Sequence, residues 1–249
     1  MNLQPCTDHS RIYEDFVRDI RQDGSYPFIR HIEDYNDELI IKLCPSQHQF
    51  VTSYQQKKIT ESFVDFLLKD SYPIVEMQVC TIINQNVFDA ICNQRNLESL
   101  RIKCFRGNDI SHITNLTKLK KLFIESGSGI EDISCLADMT QLEVLILGET
   151  KKIYDYSCLG KLKNLKVFGI CHYQTNISGT KLKMKSNEFV NKMPNLEWVD
   201  LVDCKIDNWN FAMYKYKLGF VFLILIVVKG KFVVRIYTIK SYKTMTVSQ

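Results

Sequence analysis

Leu142-Glu143-Val144-Leu145-Ile146-Leu147 reads L-x-x-L-x-L, and the phrase returns in Leu97-Glu98-Ser99-Leu100-Arg101-Ile102, Leu119-Lys120-Lys121-Leu122-Phe123-Ile124, Leu165-Lys166-Val167-Phe168-Gly169-Ile170 and Leu196-Glu197-Trp198-Val199-Asp200-Leu201. The first residues lie 22, 23, 23 and 31 positions apart. Self-similarity at that period marks a solenoid, in which each unit buries its apolar face only against its neighbours. The last copy runs on to Cys204 and Ile206, completing L-x-x-L-x-L-x-x-C-x-I. Upstream, Ile74, Met77 and Val79 fit the same pattern 23 residues before Leu97, which predicts a degenerate first repeat.

A second apolar string follows each phrase: Ile110, Ile113, Leu116, Leu119; then Ile130, Ile133, Leu136, Met139, Leu142; then Ile153, Tyr156, Leu159, Leu162, Leu165. Spacing by three suits a 3-10 or short α turn, where i and i+3 share a face. Each unit therefore reads strand, turn, short helical return. Over residues 74–209 the chain resembles the leucine-rich repeat superfamily, in the short internalin-like or phosphatase-regulator-like subtype. The resemblance implies a right-handed, curved, parallel α/β solenoid and a protein-binding role for its concave face.

Three regions are expected: an N-terminal cap or adaptor over 1–70, the repeats over 71–209, and an apolar and basic tail over 210–249. In the first, Ile12, Phe16, Val17, Ile20 and then Ile59, Phe63, Val64, Phe66, Leu67 have helical spacing, while Leu39-Ile40-Ile41 fits a strand or a short helix. An F-box-like adaptor would make the chain the substrate-recognition subunit of a ubiquitin ligase, although the Leu-Pro-x-Glu opening of such modules is missing. In the tail, eleven apolar residues from Leu218 to Val228 fall short of a spanning helix of about 20 and end at Lys229-Gly230-Lys231. Their β-branched content and Gly230 predict a hairpin, with membrane contact through 218–239 as the alternative. The segment Thr175–Met193, which lengthens the fourth step, is expected to protrude as a loop, with a helix from Asn187 capped by Ser186.

Nine cysteines, an odd number without a C-x-x-C pair, point to free thiols in a reducing cytoplasm or nucleus. The opening Met1–Ser10 lacks the apolar run of a secretory signal. Cys135 and Cys158, 23 apart, are stacked equivalents rather than a bridge or metal pair, and no histidine spacing suggests a metal site. Net charge is +4 but uneven: residues 1–70 are acidic, whereas Lys151, Lys152, Lys161, Lys163, Lys166, Lys181, Lys183 and Lys185 share their stretch with one acid, Asp155. Without arginine that cluster reads as solvated surface rather than a nucleic-acid site.

No phosphate loop, dinucleotide fingerprint, zinc-protease or nucleophile-elbow motif is present, so a non-catalytic scaffold without cofactor or metal is expected. Within each phrase the leucines point inward and positions three and five outward. Phe123, Val144, Ile146, Val167 and Trp198 then form an apolar patch rimmed by Arg101, Lys121, Glu125, Glu143, Lys166 and Asp200. A solvent-exposed patch of this kind marks an interface, and a protein partner is expected there; the alternative is that the N- or C-terminal segment folds back over the patch and buries it within the chain. Oligomeric state is left open.

Overall fold

The computed structural model describes residues 26–171, 182–201, 204–208, 221–228 and 231–238. The amphipathic stretch around Phe16, Lys181 and the Gly230 turn lie outside them. In chain order the elements begin with β1 (Phe28–Ile29), β2 (Ile40–Leu43), helix α1 (Ser53–Lys69), β3 (Glu76–Ile83), helix α2 (Gln85–Ile91), β4 (Ser99–Phe105), β5 (Lys121–Ile124), β6 (Val144–Gly148) and β7 (Val167–Cys171). They continue with β8 (Leu182–Ser186), β9 (Trp198–Asp200), β10 (Cys204–Asn208), β11 (Val221–Val228) and β12 (Lys231–Thr238).

A ten-stranded sheet has the order β1-β2-β3-β4-β5-β6-β7-β9-β12-β11. Strands β1 to β9 of this sheet pair in parallel, and every phrase aligns leucine to leucine: Ile41, Met77, Leu100, Leu122, Leu145, Phe168 and Val199 form one inward column. Their exposures run from 0% to 8%, so the column is one continuous core. The degenerate repeat is present as β3, with Met77 and Val79 fully buried.

The returns are 3-10 helices at Ser111–Asn115, Ser134–Asp138, Ser157–Lys161 and Glu188–Lys192. A device absent from the sequence reading starts the first three. Asp109, Asp132 and Asp155 each accept the backbone N–H two residues on, at Ser111 (2.7 Å), Ser134 (2.7 Å) and Ser157 (2.9 Å). These are Asx turns, which favour aspartate because its short carboxylate reaches that N–H. The charged form is the acceptor, so all three carboxyl groups are held below the usual range; at Asp155, where the Ser157 and Lys185 hydrogen bonds act together, to about 2. On the Glu188–Lys192 return Asn187 is the cap, while Ser186 accepts the Glu188 N–H at 3.1 Å.

Repeats are also locked by side-chain amides just ahead of four of the five phrases. Asn96, Gln141, Asn164 and Asn195 donate to the carbonyls of Tyr72, Leu116, Thr140 and Lys163, in the preceding unit. Backbone bonds repeat with the same lengths: Glu143 N–H to Lys120 O, Lys166 N–H to Glu143 O and Glu197 N–H to Lys166 O are all 2.8 Å.

The described part of the predicted cap, residues 26–70, joins the common sheet and core. β1 and β2 extend the sheet ahead of β3, and α1 packs Phe63 and Leu67 into the same core. Thr52 and Gln55 make a capping box at the start of α1. At its end, buried Gln94 donates to the carbonyls of Leu67 (2.6 Å) and Asp70 (2.8 Å).

The predicted hairpin is formed by β11 and β12, antiparallel, with β12 also pairing antiparallel to β9. Among the described residues no helix is long and apolar enough to cross a membrane. The lengthened fourth repeat differs from a free loop in its described part. β8 pairs in parallel with β10, Lys185 N–H reaches Tyr154 O at 2.8 Å, and Leu182 and Met184 are buried.

Four lysines of the basic run meet acids, three of them with acids distant in sequence. Lys151 meets Glu149 (3.2 Å), Lys152 meets Glu131, Lys166 meets Glu143 (2.6 Å) and Lys185 meets Asp155 (3.0 Å). Lys163 instead donates to the carbonyls of Gly160 (3.0 Å) and Lys192 (2.7 Å) at the ends of returns. Such exposed pairs contribute little stability each, but they engage Lys151, Lys152, Lys166 and Lys185 within the chain.

Candidate interaction face

Alternation along each strand sends a second set of side chains to the face opposite the leucines. Register makes two columns of them. One runs Glu76, Ser99, Lys121, Val144, Val167, Trp198, and the other Lys42, Gln78, Arg101, Phe123, Ile146, Gly169, Asp200. The structure thus brings the predicted patch residues together on adjacent strands. Gly169 leaves a shallow place in the second column, since a Cβ there would only touch Ile146, at 3.4 Å.

The patch does not, however, face open solvent as the alternation predicts. Phe123, Ile146 and Val167 are 0% exposed, Val144 2%, Arg101 3% and Trp198 9%. Lys121 is half-buried. For Asp200 only the backbone is described, paired with Gly169 and with Arg235 of β12. The row is therefore closed to solvent, as an apolar surface of this size tends to be in water.

Arg101 organises the polar side of the row. Its guanidinium lies 4.7 Å from the centre of the Phe123 ring, a cation–π distance. Nε and Nη2 both donate to Glu125 Oε1, at 2.8 and 2.6 Å. A buried charge is tolerated only when paired and hydrogen-bonded, and Glu125 meets that need for Arg101. Farther along, Lys42, 0% exposed, sits 4.8 Å from the Phe28 ring centre and 5.6 Å from that of Tyr26. Lys42 and Gln78 were not foreseen as part of this face. The signal lay in Leu39-Ile40-Ile41-Lys42-Leu43, whose alternation about Lys42 is that of a strand in step with β3.

Cys135 and Cys158 occupy equivalent places on the returns, each directing its thiol to a carbonyl of the preceding unit, Ile110 O (3.7 Å) and Ile133 O (3.8 Å). Burial pushes the Cys135 thiol up to about 11 and raises that of Cys158 as well. Among the described residues no group of three or more His, Cys, Asp or Glu side chains is placed to hold a metal ion.

No family model matches the chain, and no curated protein sequence matches it. Among solved structures it is similar to two internalins of Listeria monocytogenes str. 4b F2365. Internalin C2 is 18% identical with a TM-score of 0.42, over 57% of this chain and 63% of that one. Internalin F is 18% identical with a TM-score of 0.33, over 70% of this chain and 63% of that one. The chain thus spans less than two thirds of the length of either. The repeat period, the leucine columns in register and the 3-10 returns of the chain itself make the fold a leucine-rich repeat solenoid.

Proposed function

We propose that the chain is a non-catalytic scaffold that binds a protein partner through the face bearing Phe123, Val144, Ile146, Val167 and Trp198, in the reducing cytoplasm or nucleus. The observation that supports this most directly is the composition of that face. Five large apolar side chains stand in register on strands β5, β6, β7 and β9, outside the leucine core, beside Arg101 and Lys121. A strand face that met only water would carry polar side chains there. An apolar row with a charged margin suits the non-polar side of a peptide segment. Since the row is closed to solvent, a partner would take the place of whatever covers it.

The ubiquitin-ligase alternative has less support, because residues 26–70 build β1, β2 and α1 into the common sheet and core instead of a separate adaptor unit.

The test is capture of binding proteins with the full chain, Trp198→Ala, Val144→Asp and a control on the opposite surface, Lys118→Glu. Trp198 is 9% exposed, so capture is normalised to the folded fraction of each variant. Trp198→Ala should weaken binding by about 2 kcal/mol or more, with the control unchanged. A partner retained by both folded face variants would refute the assignment.

A further inference from the structure

At the other end of the same face two cysteines stand side by side on neighbouring strands. β2 and β3 run in parallel with Lys42 opposite Gln78 and Leu43 opposite Val79, and the next residue on each is Cys44 and Cys80. Their side chains share the face of Lys42 and Gln78. Paired positions on adjacent strands lie about 4.8 Å apart, inside the Cα separation of about 4.4 to 6.8 Å that a disulfide requires. Cys80 Sγ reaches Gln78 O at 3.7 Å, beside Cys44.

The backbone around the pair is fixed from several sides. Cys44 N–H donates to Ile29 O at 3.0 Å, and Cys44 O is 2.8 Å from His48 Nε2. Ser46 Oγ donates to Ile82 O, and Ile82 N–H to Gln47 Oε1 at 3.0 Å. Cys80 itself falls where the pairing of β3 with β4 shifts register, between Val79 and Ile82, a kind of irregularity that re-aims side chains.

The chemistry of the pair also differs from that of the other thiols. Hydrogen bonding by the Cys80 side chain, with Arg30, Lys103 and Lys42 nearby, holds the Cys44 thiol below its ordinary value. By contrast burial pushes up those of Cys92, Cys135, Cys158 and Cys204. A thiolate is the nucleophile in sulfur chemistry, so Cys44 is the reactive member. Cys44 and Cys80 are buried, at 7% and 9% exposure, less accessible than Cys135 and Cys158 but not fully enclosed like Cys92 at 0%, so it is the pairing rather than exposure that sets them apart.

We propose that Cys44 and Cys80 are a peroxide-sensitive dithiol that closes to a disulfide and staples β2 to β3. Cys44 Sγ attacks one peroxide oxygen, the O–O bond breaks, hydroxide leaves and takes up a proton, and Cys44 becomes a sulfenic acid. Cys80 Sγ, giving up its proton, then attacks Cys44 Sγ; the S–O bond breaks and a second water is released. Two thiols and one hydrogen peroxide become one disulfide and two waters, with two electrons passing from sulfur to peroxide.

The experiment treats the full-length protein with hydrogen peroxide, alkylates the remaining thiols and maps the peptides by mass spectrometry. A linked pair of peptides containing Cys44 and Cys80 is expected, forming at least about tenfold faster than oxidation at Cys135 or Cys158, whose thiols are less ionised. In Cys80→Ser, dimedone should trap a sulfenic acid at Cys44; in Cys44→Ser, little adduct should form at Cys80. Circular dichroism checks that both variants fold, and if either does not, mapping of the unmodified chain decides alone. The proposal is overturned if Cys44 and Cys80 stay free while other thiols oxidise, or if all the cysteines oxidise at one rate. Neither result bears on the partner-binding reading, which rests on β5 to β9.

Discussion

Truncating Leu145 to alanine tests the repeat register at its centre. Leu145 is 0% exposed and stands between Leu122 and Phe168 in the inward column. The change removes three carbons, which at about 0.8 kcal/mol for each buried methylene is roughly 2.4 kcal/mol of lost transfer energy. The column is held by hydrogen bonds on both sides and cannot collapse fully, so a residual cavity term of about 1 kcal/mol or more adds to it. The expected cost is about 3 to 4 kcal/mol, and with a urea slope of about 2 to 3 kcal/mol per molar the midpoint should fall by about 1 to 2 M. Urea titration followed by circular dichroism measures it, with Lys120→Ala as reference. That residue pairs with Glu98 at 2.8 Å on the surface and should cost about 0.5 kcal/mol or less. A Leu145→Ala midpoint within about 0.3 M of the parent, at unchanged slope, would mean that Leu145 is not in the core and that the leucine columns are wrongly aligned.

Gly148→Ala should be more damaging than a typical strand substitution, because its Cβ would lie against the Glu125 carbonyl oxygen and 2.8 Å from that carbonyl carbon. A loss of about 3 kcal/mol or more is expected in the same titration, and a neutral result would show that β5 and β6 are less closely spaced. On acidification, Asp109, Asp132 and Asp155 have folded-state values below their ordinary one, so their contribution is present above about pH 4 and lost as pH falls through the lowered values, for Asp155 about 2. Asp155→Asn should therefore flatten the acid limb of a stability–pH curve between about pH 4 and 2; an unchanged limb would show that the turn does not depend on the charge. In native alkylation at neutral pH, Cys204, its thiol pushed up to about 12 by burial, should label far more slowly than Cys44, and equal rates would contradict the local environments of both.

The phrase repeated from Leu97 to Leu201 was legible because it sets a period, and a period survives local variation. The strands ahead of it were harder to see. Met77 follows Ile41 by 36 residues because α1 is inserted between β2 and β3, and no repeat unit connects them. The partners of the lysines were hidden for a related reason: Glu131 and Lys152, or Glu143 and Lys166, are neighbours only after one unit stacks on the next. Alternation placed Phe123, Ile146 and Val167 on the correct face, yet it carries no information about what folds over that face. Burial of the row is a long-range outcome, and the exposure expected for it was wrong.

The hydrogen bonds that join one unit to the next are indifferent to how long the return between them is. From Leu142 to Leu165 the chain takes 23 residues and from Leu165 to Leu196 it takes 31, yet Lys166 N–H to Glu143 O and Glu197 N–H to Lys166 O are both 2.8 Å. Strand pitch is thus conserved while contour length varies. The solenoid keeps its gauge like a ladder whose rungs are fixed and whose side rails may be bowed outward. For an engineer, added length belongs in a return rather than in a phrase, where it leaves the columns of the sheet in step.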